Sequence, residues 1–427
     1  MTTSVKGWRQ ALWAAALGWS AALATAAPLN ISVGVNDASQ RQAFTALVDE
    51  FKAANQDVDV HLTVTEIGAY RKALPGHLEA DAPDVFNWFA GDQMRSFAQR
   101  GLLEDLSDLW KANTWANTFS NTQAAATWND KPWGLPYQYY PQGLFFRKDV
   151  LAKVGITQPP RDLSAMLTAC AKLNKAGVVP IALAGKDGSA LAAWFDYIDL
   201  RTNGGEKHAR LTEGKVPFND PDVVRAFMMW RQLIDAKCFA PNALATDSGT
   251  AQGLLYQGRA GMMLLGTTAS ASFPEAVRGE IDYARFPMID LGQPYAEAAP
   301  TDNFHIAAKA KNKADARRFL KFAATSAANA KLAKALGSFP TNKFAPVAGT
   351  VLDLNSYKVL TEAKGGLVQA YEREAPAEMA QQGIKGLQDF MAAPQKIYEV
   401  LGRLEAVRQT AYHANLPTEP TAAGRKK

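Results

Sequence analysis

Residues 133–151 read WGLPYQYYPQGLFFRKDVL, and this stretch decides how the rest of the chain is interpreted. Neither Pro136 nor Pro141 can donate a backbone hydrogen bond, so neither fits a central strand. The apolar residues 144–146 predict a strand, and a helix is predicted to begin at Lys148. Two interpretations follow: a buried strand with aromatic core residues, or a crossing between two lobes that lines a cleft.

The chain is long enough for two lobes. It has 427 residues, 48% of them hydrophobic, and one core rarely serves more than about 250–300 residues. The formal net charge is +5, with acidic and basic residues mixed throughout. The only basic cluster is residues 425–427, so we expect no nucleic-acid partner. Residues 415–427 lack apolar periodicity, which predicts a disordered tail.

Residues 1–26 have the features of a signal peptide. Lys6 and Arg9 precede a short apolar run at residues 11–23, and Ala24-Thr25-Ala26 fits a small-x-small cleavage site. A membrane anchor is the alternative, but the run is too short to span a bilayer comfortably. We therefore expect cleavage after Ala26 and an exported, periplasmic protein.

The first part of the mature chain alternates between strand and helix patterns. Residues 29–35 and 58–64 alternate apolar and polar side chains, while residues 44–51 carry apolar side chains at helical spacing. A strand–helix–strand unit predicts an α/β fold with a parallel sheet that helices cover.

Candidate binding residues follow the predicted strands. Ligands bind beyond the carboxyl ends of strands in such sheets. The residues at these ends are Asn36, Asp37, Trp88, Asp92, Gly266 and Thr267.

The only two cysteines are Cys170 and Cys238. Export would allow them to form a disulfide. The alternative is two buried free thiols, since Cys170 shares an apolar helical face with Met166 and Leu167. Both interpretations stay open, because the sequence does not give the separation of the two Cα atoms.

No motif for catalysis, metal binding or a cofactor is found. Gly185-Lys186 and Gly214-Lys215 lack the next residue of a phosphate-binding loop, and no G-x-S-x-G elbow occurs. The five histidines show no H-E-x-x-H spacing. We therefore predict no catalytic residues, no metal and no cofactor, although a triad assembled in space would escape such a search.

Four motif groups occur in the order typical of one known family. They are APDV with GLLEDL (82–85, 101–106), WGLP with FFRKDVL (133–136, 145–151), YQGRAGM (256–262) and KAKNKADARRFLKF (309–322). With them the chain resembles the extracellular solute-binding proteins of carbohydrate ABC importers, the group that contains maltose-binding protein.

The resemblance implies an α/β, two-lobe periplasmic binding protein fold of type II, in which each lobe has a central β-sheet flanked by helices. It implies three hinge crossings, near residues 139–142, 298–304 and 339–344. We expect an N-lobe of residues 27–140 plus 300–342, and a C-lobe of residues 141–299 plus 343–414.

The resemblance also implies a monomeric binding protein that is not an enzyme. It would carry a mono- or short oligosaccharide to the membrane permease subunits of an ABC importer. The expected sugar contacts are Asn36, Asp37, Trp88, Asp92, Gln138, Tyr139, Tyr140, Trp194, Gly266, Thr267, Asp302 and Asn303. Trp194 is expected at a loop–helix junction that faces the cleft.

Several alternatives accompany these expectations. Trp88 and Trp194 could instead pack in the core. Thr267 and Thr268 stand where many family members have tryptophan, which predicts a smaller ligand. A polyol or a glycerol-phosphate-type solute is the runner-up ligand, although the few cations in the candidate segments favour a neutral sugar. An exported carbohydrate-active enzyme is the other class of function.

Overall fold

The computed structural model describes residues 1–2 and 27–412 of the chain. Apart from residues 1 and 2, the predicted signal peptide lies outside the described residues. The predicted disordered tail at residues 415–427 lies outside them as well.

The described part of the chain contains thirteen strands. They are β1 (Leu29–Val35), β2 (Val60–Glu66), β3 (Val85–Phe89), β4 (Thr127–Trp128), β5 (Lys131–Pro132), β6 (Leu135–Tyr139), β7 (Gln142–Arg147), β8 (Val179–Ala182), β9 (Ala260–Gly266), β10 (Ile281–Ala284), β11 (Glu297–Ala298), β12 (Thr301–Ile306) and β13 (Leu367–Val368).

The same part of the chain contains nineteen α-helices and three short 3₁₀ segments. The helices are α1 (Ala38–Ala54), α2 (Ile67–Glu79), α3 (Asp92–Gln99), α4 (Ser107–Ala112), α5 (Trp115–Thr118), α6 (Gln123–Ala126), α7 (Lys148–Lys153), α8 (Leu163–Lys175), α9 (Ser189–Asn203), α10 (Gly205–Thr212), α11 (Pro221–Asp235), α12 (Ser248–Tyr256), α13 (Glu275–Arg278), α14 (Lys313–Ala323), α15 (Ser326–Ala335), α16 (Val351–Thr361), α17 (Tyr371–Glu374), α18 (Ala377–Ala392) and α19 (Ile397–Ala411). The 3₁₀ segments are Ala243–Ala245, Thr267–Ser272 and Pro394–Lys396.

The N-lobe is built on a five-stranded sheet in the order β2-β1-β3-β12-β6. β1 is parallel to β2 and β3, whereas β12 is antiparallel to β3 and β6. The prediction of a parallel sheet is therefore correct for β1, β2 and β3. It is wrong for the sheet as a whole, because β12 is antiparallel to its neighbours. β12 runs the other way because the chain returns from the second lobe at the edge where β1 and β3 end. Pro136 lies in β6, an edge strand, as its missing N–H requires.

The C-lobe is built on a four-stranded sheet in the order β10-β7-β9-β8. β7 is antiparallel to β10 and to β9, and β8 is parallel to β9. The run at residues 144–146 forms part of β7, and α7 follows it at Lys148, as predicted.

Three segments join the two sheets. The chain leaves β6 for β7 through Tyr140 and Pro141, and it returns between β11 and β12. It leaves again between α15 and α16, where the backbones of Tyr139 and Phe339 exchange hydrogen bonds of 3.0 and 3.3 Å. This arrangement agrees with the predicted two-lobe α/β fold, while the predicted residue limits of the lobes remain a prediction.

Each lobe has its own hydrophobic core. Phe44, Phe51 and Phe304 lie in the N-lobe core, whereas Trp194 and Trp230 lie in the C-lobe core. In the C-lobe a disulfide joins Cys170 of α8 to Cys238, whose Cα atoms are 5.2 Å apart. The alternative of two free thiols is therefore wrong.

Candidate functional site

A cavity of about 90 Å³ lies between the lobes. It sits at the carboxyl ends of β1, β3 and β6, the edge where ligands bind in such sheets. Most of its wall comes from the N-lobe, and the crossing and the C-lobe close it. The wall includes Asn36, Gln40, Phe44, Tyr70, Asn87, Trp88, Phe89, Tyr137, Gln138, Tyr140, Thr268, Asp302 and Arg373.

Asn36 lines the cavity because α1 begins shortly after β1 ends. Asp37 caps α1 by accepting a hydrogen bond from the Gln40 backbone N–H at 2.8 Å. The Gln40 side chain accepts in turn from Asn36 Nδ2 at 3.1 Å. Asp37 is thus engaged by the helix, while Asn36 and Gln40 form part of the wall.

The neighbouring wall depends on a glycine at a close approach. A Cβ atom at Gly34 would lie only 2.3 Å from the ring of Tyr70. The Tyr70 hydroxyl donates to the carbonyls of Ser32 and Asn87, at 3.1 and 3.2 Å. The Asn87 side chain exchanges hydrogen bonds of 2.8 and 3.1 Å with the Gly34 backbone. These bonds hold the ends of β1 and β3 together beneath the cavity.

Two buried polar atoms that belong to residues of the cavity wall have no hydrogen-bond partner among the described residues. They are the indole Nε1 of Trp88 and the side-chain Oε1 of Gln138, and both are buried. The other end of the Gln138 amide donates to Asp302 Oδ2 at 2.5 Å, which fixes its orientation. Buried polar groups are nearly always paired, so one donor and one acceptor here are suited to a bound ligand.

Arg373 enters the cavity from α17 of the C-lobe. Its guanidinium donates to Asp302 Oδ1 at 2.7 Å and to the Tyr140 hydroxyl at 3.0 Å. It also lies 4.5 Å from the ring centre of Phe89. Burial opposes its charge, but Tyr140 and Asp302 outweigh burial and raise the pKa of Arg373 above its ordinary value. Arg373 is thus a charged contact between the lobes inside the cavity.

A second ion pair joins the lobes beside the cavity. Arg95 of α3 donates to the Glu374 carboxylate at 2.6 Å and to the Glu374 carbonyl at 3.0 Å. Asp92 lies 3.7 Å from the same guanidinium. Burial raises the pKa values of both Glu374 and Asp92. Asp92 therefore belongs to the contact between lobes rather than to the cavity wall.

A buried charged group holds α17 in place. The Asp196 carboxylate accepts from the Tyr371 backbone N–H at 3.2 Å, at the start of α17. The same carboxylate lies 3.1 Å from one ring nitrogen of His208, and Asp199 lies 2.8 Å from the other. Burial opposes the charge of His208, but these two carboxylates outweigh it and raise the pKa of His208 to about 9. The position of Arg373 thus rests on the C-lobe core.

The structure brings five of the predicted contacts to the cavity wall, namely Asn36, Trp88, Gln138, Tyr140 and Asp302. Trp88 also packs in an aromatic cluster, where its ring stacks on Phe97 with the centroids 5.2 Å apart. Gly266 lies next to the wall, because a Cβ there would be 3.3 Å from the Tyr140 ring. Whether these residues bind a ligand remains a prediction.

The remaining predicted contacts lie elsewhere. The expected position of Trp194 is wrong, because it lies within α9 and packs against Phe239 and Phe286 in the core. Successive side chains of a strand point to opposite faces of the sheet, so some residues next to a cavity residue point away from the cavity. Those outside the wall are Asp37, Asp92, Tyr139, Trp194, Thr267 and Asn303.

Three of the buried residues outside the cavity wall form contacts elsewhere in the protein. Tyr139 packs in a separate cluster with Phe339 at the crossings. Asn303 donates to the Ala125 carbonyl at 3.2 Å. The backbone N–H of Thr267 donates to the Pro141 carbonyl at 3.1 Å, and its neighbour Thr268 lines the cavity instead.

The sequence-based prediction missed Arg373, Gln40, Tyr70 and Thr268. Gln40 and Tyr70 lie on the helices α1 and α2, whereas the search for ligand contacts followed the ends of the predicted strands and the crossings. Arg373 lies in a four-residue helix that is too short to show periodicity. The only signal for it was the position of its stretch after the third crossing, in residues 343–414 that were expected to return to the C-lobe.

Within residues 1–2 and 27–412, no helix combines the length and apolar character that a membrane crossing needs. The same residues contain no cluster of three or more histidine, cysteine or acidic side chains arranged to hold a metal ion.

Residues 37–330 match the family of bacterial extracellular solute-binding proteins, and the chain belongs to this family. An uncharacterised ABC transporter extracellular-binding protein of Pyrococcus horikoshii is 23% identical over 72% of this chain and 70% of its own. The bacterial solute receptor AcbH has a TM-score of 0.80 and 25% identity, over 90% of this chain and 99% of AcbH. A chitin oligosaccharide binding protein has a TM-score of 0.78 and 20% identity, over 90% and 99%.

The family assignment confirms the resemblance found in the sequence. Members of this family are exported substrate-binding receptors, which bind small-molecule ligands and deliver them to the permeases of ABC transporters. The fold likewise matches that of two-lobe solute-binding proteins.

Proposed function

We propose that this protein binds a sugar in the cavity between its lobes and delivers it to an ABC importer. The observation that carries the proposal is that two residues of the cavity wall each have a buried polar atom without a partner among the described residues, namely Trp88 Nε1 and Gln138 Oε1. A sugar hydroxyl both donates and accepts, so neighbouring hydroxyls of one ring could satisfy both atoms.

The aromatic content of the wall supports a sugar over other polar solutes. Sugars have flat C–H faces besides their hydroxyl edges, and such faces pack on aromatic rings. Six aromatic side chains line the cavity: Phe44, Tyr70, Trp88, Phe89, Tyr137 and Tyr140.

The ligand we propose is a single sugar unit. The volume of about 90 Å³ is below the ~300–1,000 Å³ usual for small-molecule pockets. The similar receptor AcbH has an exclusive preference for β-D-galactopyranose, which also supports a monosaccharide. A short oligosaccharide is the alternative ligand, because another similar structure is that of a chitin oligosaccharide binding protein.

The proposal includes periplasmic location, a monomeric state and the absence of catalysis. Cleavage after Ala26 would release a mature chain that begins at Ala27. N-terminal sequencing of the exported protein tests this, and recovery of the intact leader in a membrane fraction would contradict it.

The experiment that tests the function is a thermal-shift screen of the purified mature protein over mono- and disaccharides, with product analysis after long incubation. We expect a rise in melting temperature with at least one monosaccharide, because a ligand that binds only the folded state stabilises it. No shift with any sugar would contradict sugar binding, and hydrolysis or elimination products would contradict the absence of catalysis.

A further inference from the structure

The cavity wall contains one acidic and one basic side chain among the described residues. They are Asp302 of the N-lobe and Arg373 of the C-lobe, with an Oδ1–nitrogen distance of 2.7 Å. Their formal charges cancel, so the cavity is electrically neutral although it contains an arginine.

Each of the two charged side chains also forms a hydrogen bond with an uncharged side chain. The second oxygen of Asp302 accepts from Gln138, and the second nitrogen of Arg373 donates to Tyr140. The side chains of Asp302 and Arg373 are only 8% and 13% exposed. Glu372 precedes Arg373 in the chain and adds to the negative potential at the guanidinium, but it does not line the cavity.

Stability alone is a weak explanation for this pair. Burying two charges costs solvation free energy, and apolar replacements of buried ion pairs are often neutral or stabilising. The pair also lies in a cavity wall rather than in either core. A role in ligand selection fits this position.

We propose that Asp302 is a specificity-determining residue, which neutralises Arg373 and restricts the cavity to uncharged sugars. The inference rests on the proposed function and narrows its ligand to neutral sugars, against sugar acids and sugar phosphates. An anionic ligand would have to compete with Asp302 for the guanidinium and would meet a buried like charge. Without the Asp302 charge, the planar guanidinium would be free to bind a carboxylate in two-pronged geometry.

The test compares two neutral sugars with the acids that differ from them only at C6. D-galactose and D-galacturonate form one pair, and D-glucose and D-glucuronate form the other. Isothermal titration at pH 7.5 gives the affinity ratio of neutral sugar to uronate for the wild type and for Asp302→Asn. We expect the wild type to prefer the neutral sugar by at least about tenfold, equal to about 1.4 kcal/mol. We expect Asp302→Asn to shift the ratio toward the uronate by at least the same factor.

Two further variants identify the cause of the shift. Adding Arg373→Met to Asp302→Asn should abolish the gain in uronate affinity, because no cation then remains in the wall. Glu50→Gln is the matched control, since it removes a carboxylate from a surface pair within the N-lobe that does not line the cavity. It should leave the ratio of neutral sugar to uronate unchanged.

The outcomes separate this inference from the proposed function. A wild type that binds a neutral sugar and its uronate equally would overturn the inference alone, and this comparison needs no variant to fold. An unchanged ratio in a folded Asp302→Asn protein would overturn it as well. If the wild type binds neither pair but the thermal-shift screen identifies another monosaccharide, the comparison is made with that sugar and its uronate. If no sugar in the screen binds, the inference fails together with the proposed function.

Discussion

In the proposed site Trp88 and Gln138 would offer a ligand one donor and one acceptor, and a phenylalanine at position 88 removes the donor while it keeps an aromatic ring. We predict that Trp88→Phe weakens sugar binding by about 1 kcal/mol, roughly fivefold, because one hydrogen bond to the ligand is lost. Phenylalanine keeps an aromatic ring against Phe97, so the melting temperature should fall less than it does for a truncation of Trp194, which is more deeply buried. Isothermal titration and a thermal melt measure the two effects separately.

Trp194→Phe is the matched control for that change. Trp194 packs between Phe239 and Phe286 in the C-lobe core and does not reach the cavity. The variant should lower the melting temperature and leave the affinity of the folded protein unchanged. The reverse pattern in the two variants would contradict the assignment of both tryptophans.

At this scale the sequence indicated where strands end but not which side chains face the cavity. Asp302 faces it and Asn303 does not, although both follow the same crossing. The pairing of β12 with β6 is irregular at this point: Asp302 opposes Gln138 while Asn303 opposes Pro136. Such a bulge changes which residues of a strand point to the same face of the sheet, and no pattern in the sequence predicts it here.

At the scale of elements, α17 links the cavity to the C-lobe core through the buried group Asp196, His208 and Asp199. The folded pKa of His208 is about 9, above its ordinary value of 6.5. Its charge therefore adds stability that is complete below about pH 6.5 and is lost as the pH rises through about 9. We predict that the free energy of unfolding, measured in urea, falls across this window.

His208→Gln is the variant for this prediction. Glutamine can still donate a hydrogen bond to a carboxylate but cannot be charged. The variant should be less stable at neutral pH and should lose most of the decline between about pH 6.5 and 9. An equal decline in both proteins would show that another group is responsible.

The disulfide between α8 and Cys238 joins positions that are 68 residues apart in the chain. On the loop-entropy model, a closed loop of this length stabilises the folded state by about 4 kcal/mol. We predict that Cys170→Ser with Cys238→Ser lowers the free energy of unfolding by this amount. Sugar affinity should remain unchanged, because neither cysteine lines the cavity. A double variant as stable as the wild type would contradict the role of the disulfide.

Elements with strong periodicity were predicted well and elements without it were not. β1, α1 and β2 follow their apolar patterns, and the edge position of β6 follows from Pro136. The antiparallel course of β12 was missed because it depends on the crossing from the other lobe. The four residues of α17 carry no periodic signal, so the arginine on the C-lobe side was missed too.

At the scale of the whole molecule, the lobes are held together by contacts that cross the cleft. Asp302 and Arg373 form one such contact in the cavity wall. Arg95 and Glu374 form another one outside the wall. We predict that Glu374→Gln opens the ligand-free protein, because the charge that holds Arg95 across the cleft is lost. Small-angle X-ray scattering should then give a larger radius of gyration than for the wild type.

The control for lobe opening is Glu50→Gln. It removes a charge from the surface pair of Glu50 and Lys331, both of which lie in the N-lobe. This variant should leave the radius of gyration unchanged. If Glu374→Gln also leaves it unchanged, the contact does not hold the lobes together.

The central claim is that the cavity between the lobes is where a sugar binds. A crystal structure of the mature protein, grown with the monosaccharide that gives the largest thermal shift, tests this claim most directly. We predict one sugar ring in the cavity, within hydrogen-bond distance of Trp88 Nε1 and Gln138 Oε1. A sugar bound elsewhere on the protein, with these two atoms still unpaired, would contradict the claim.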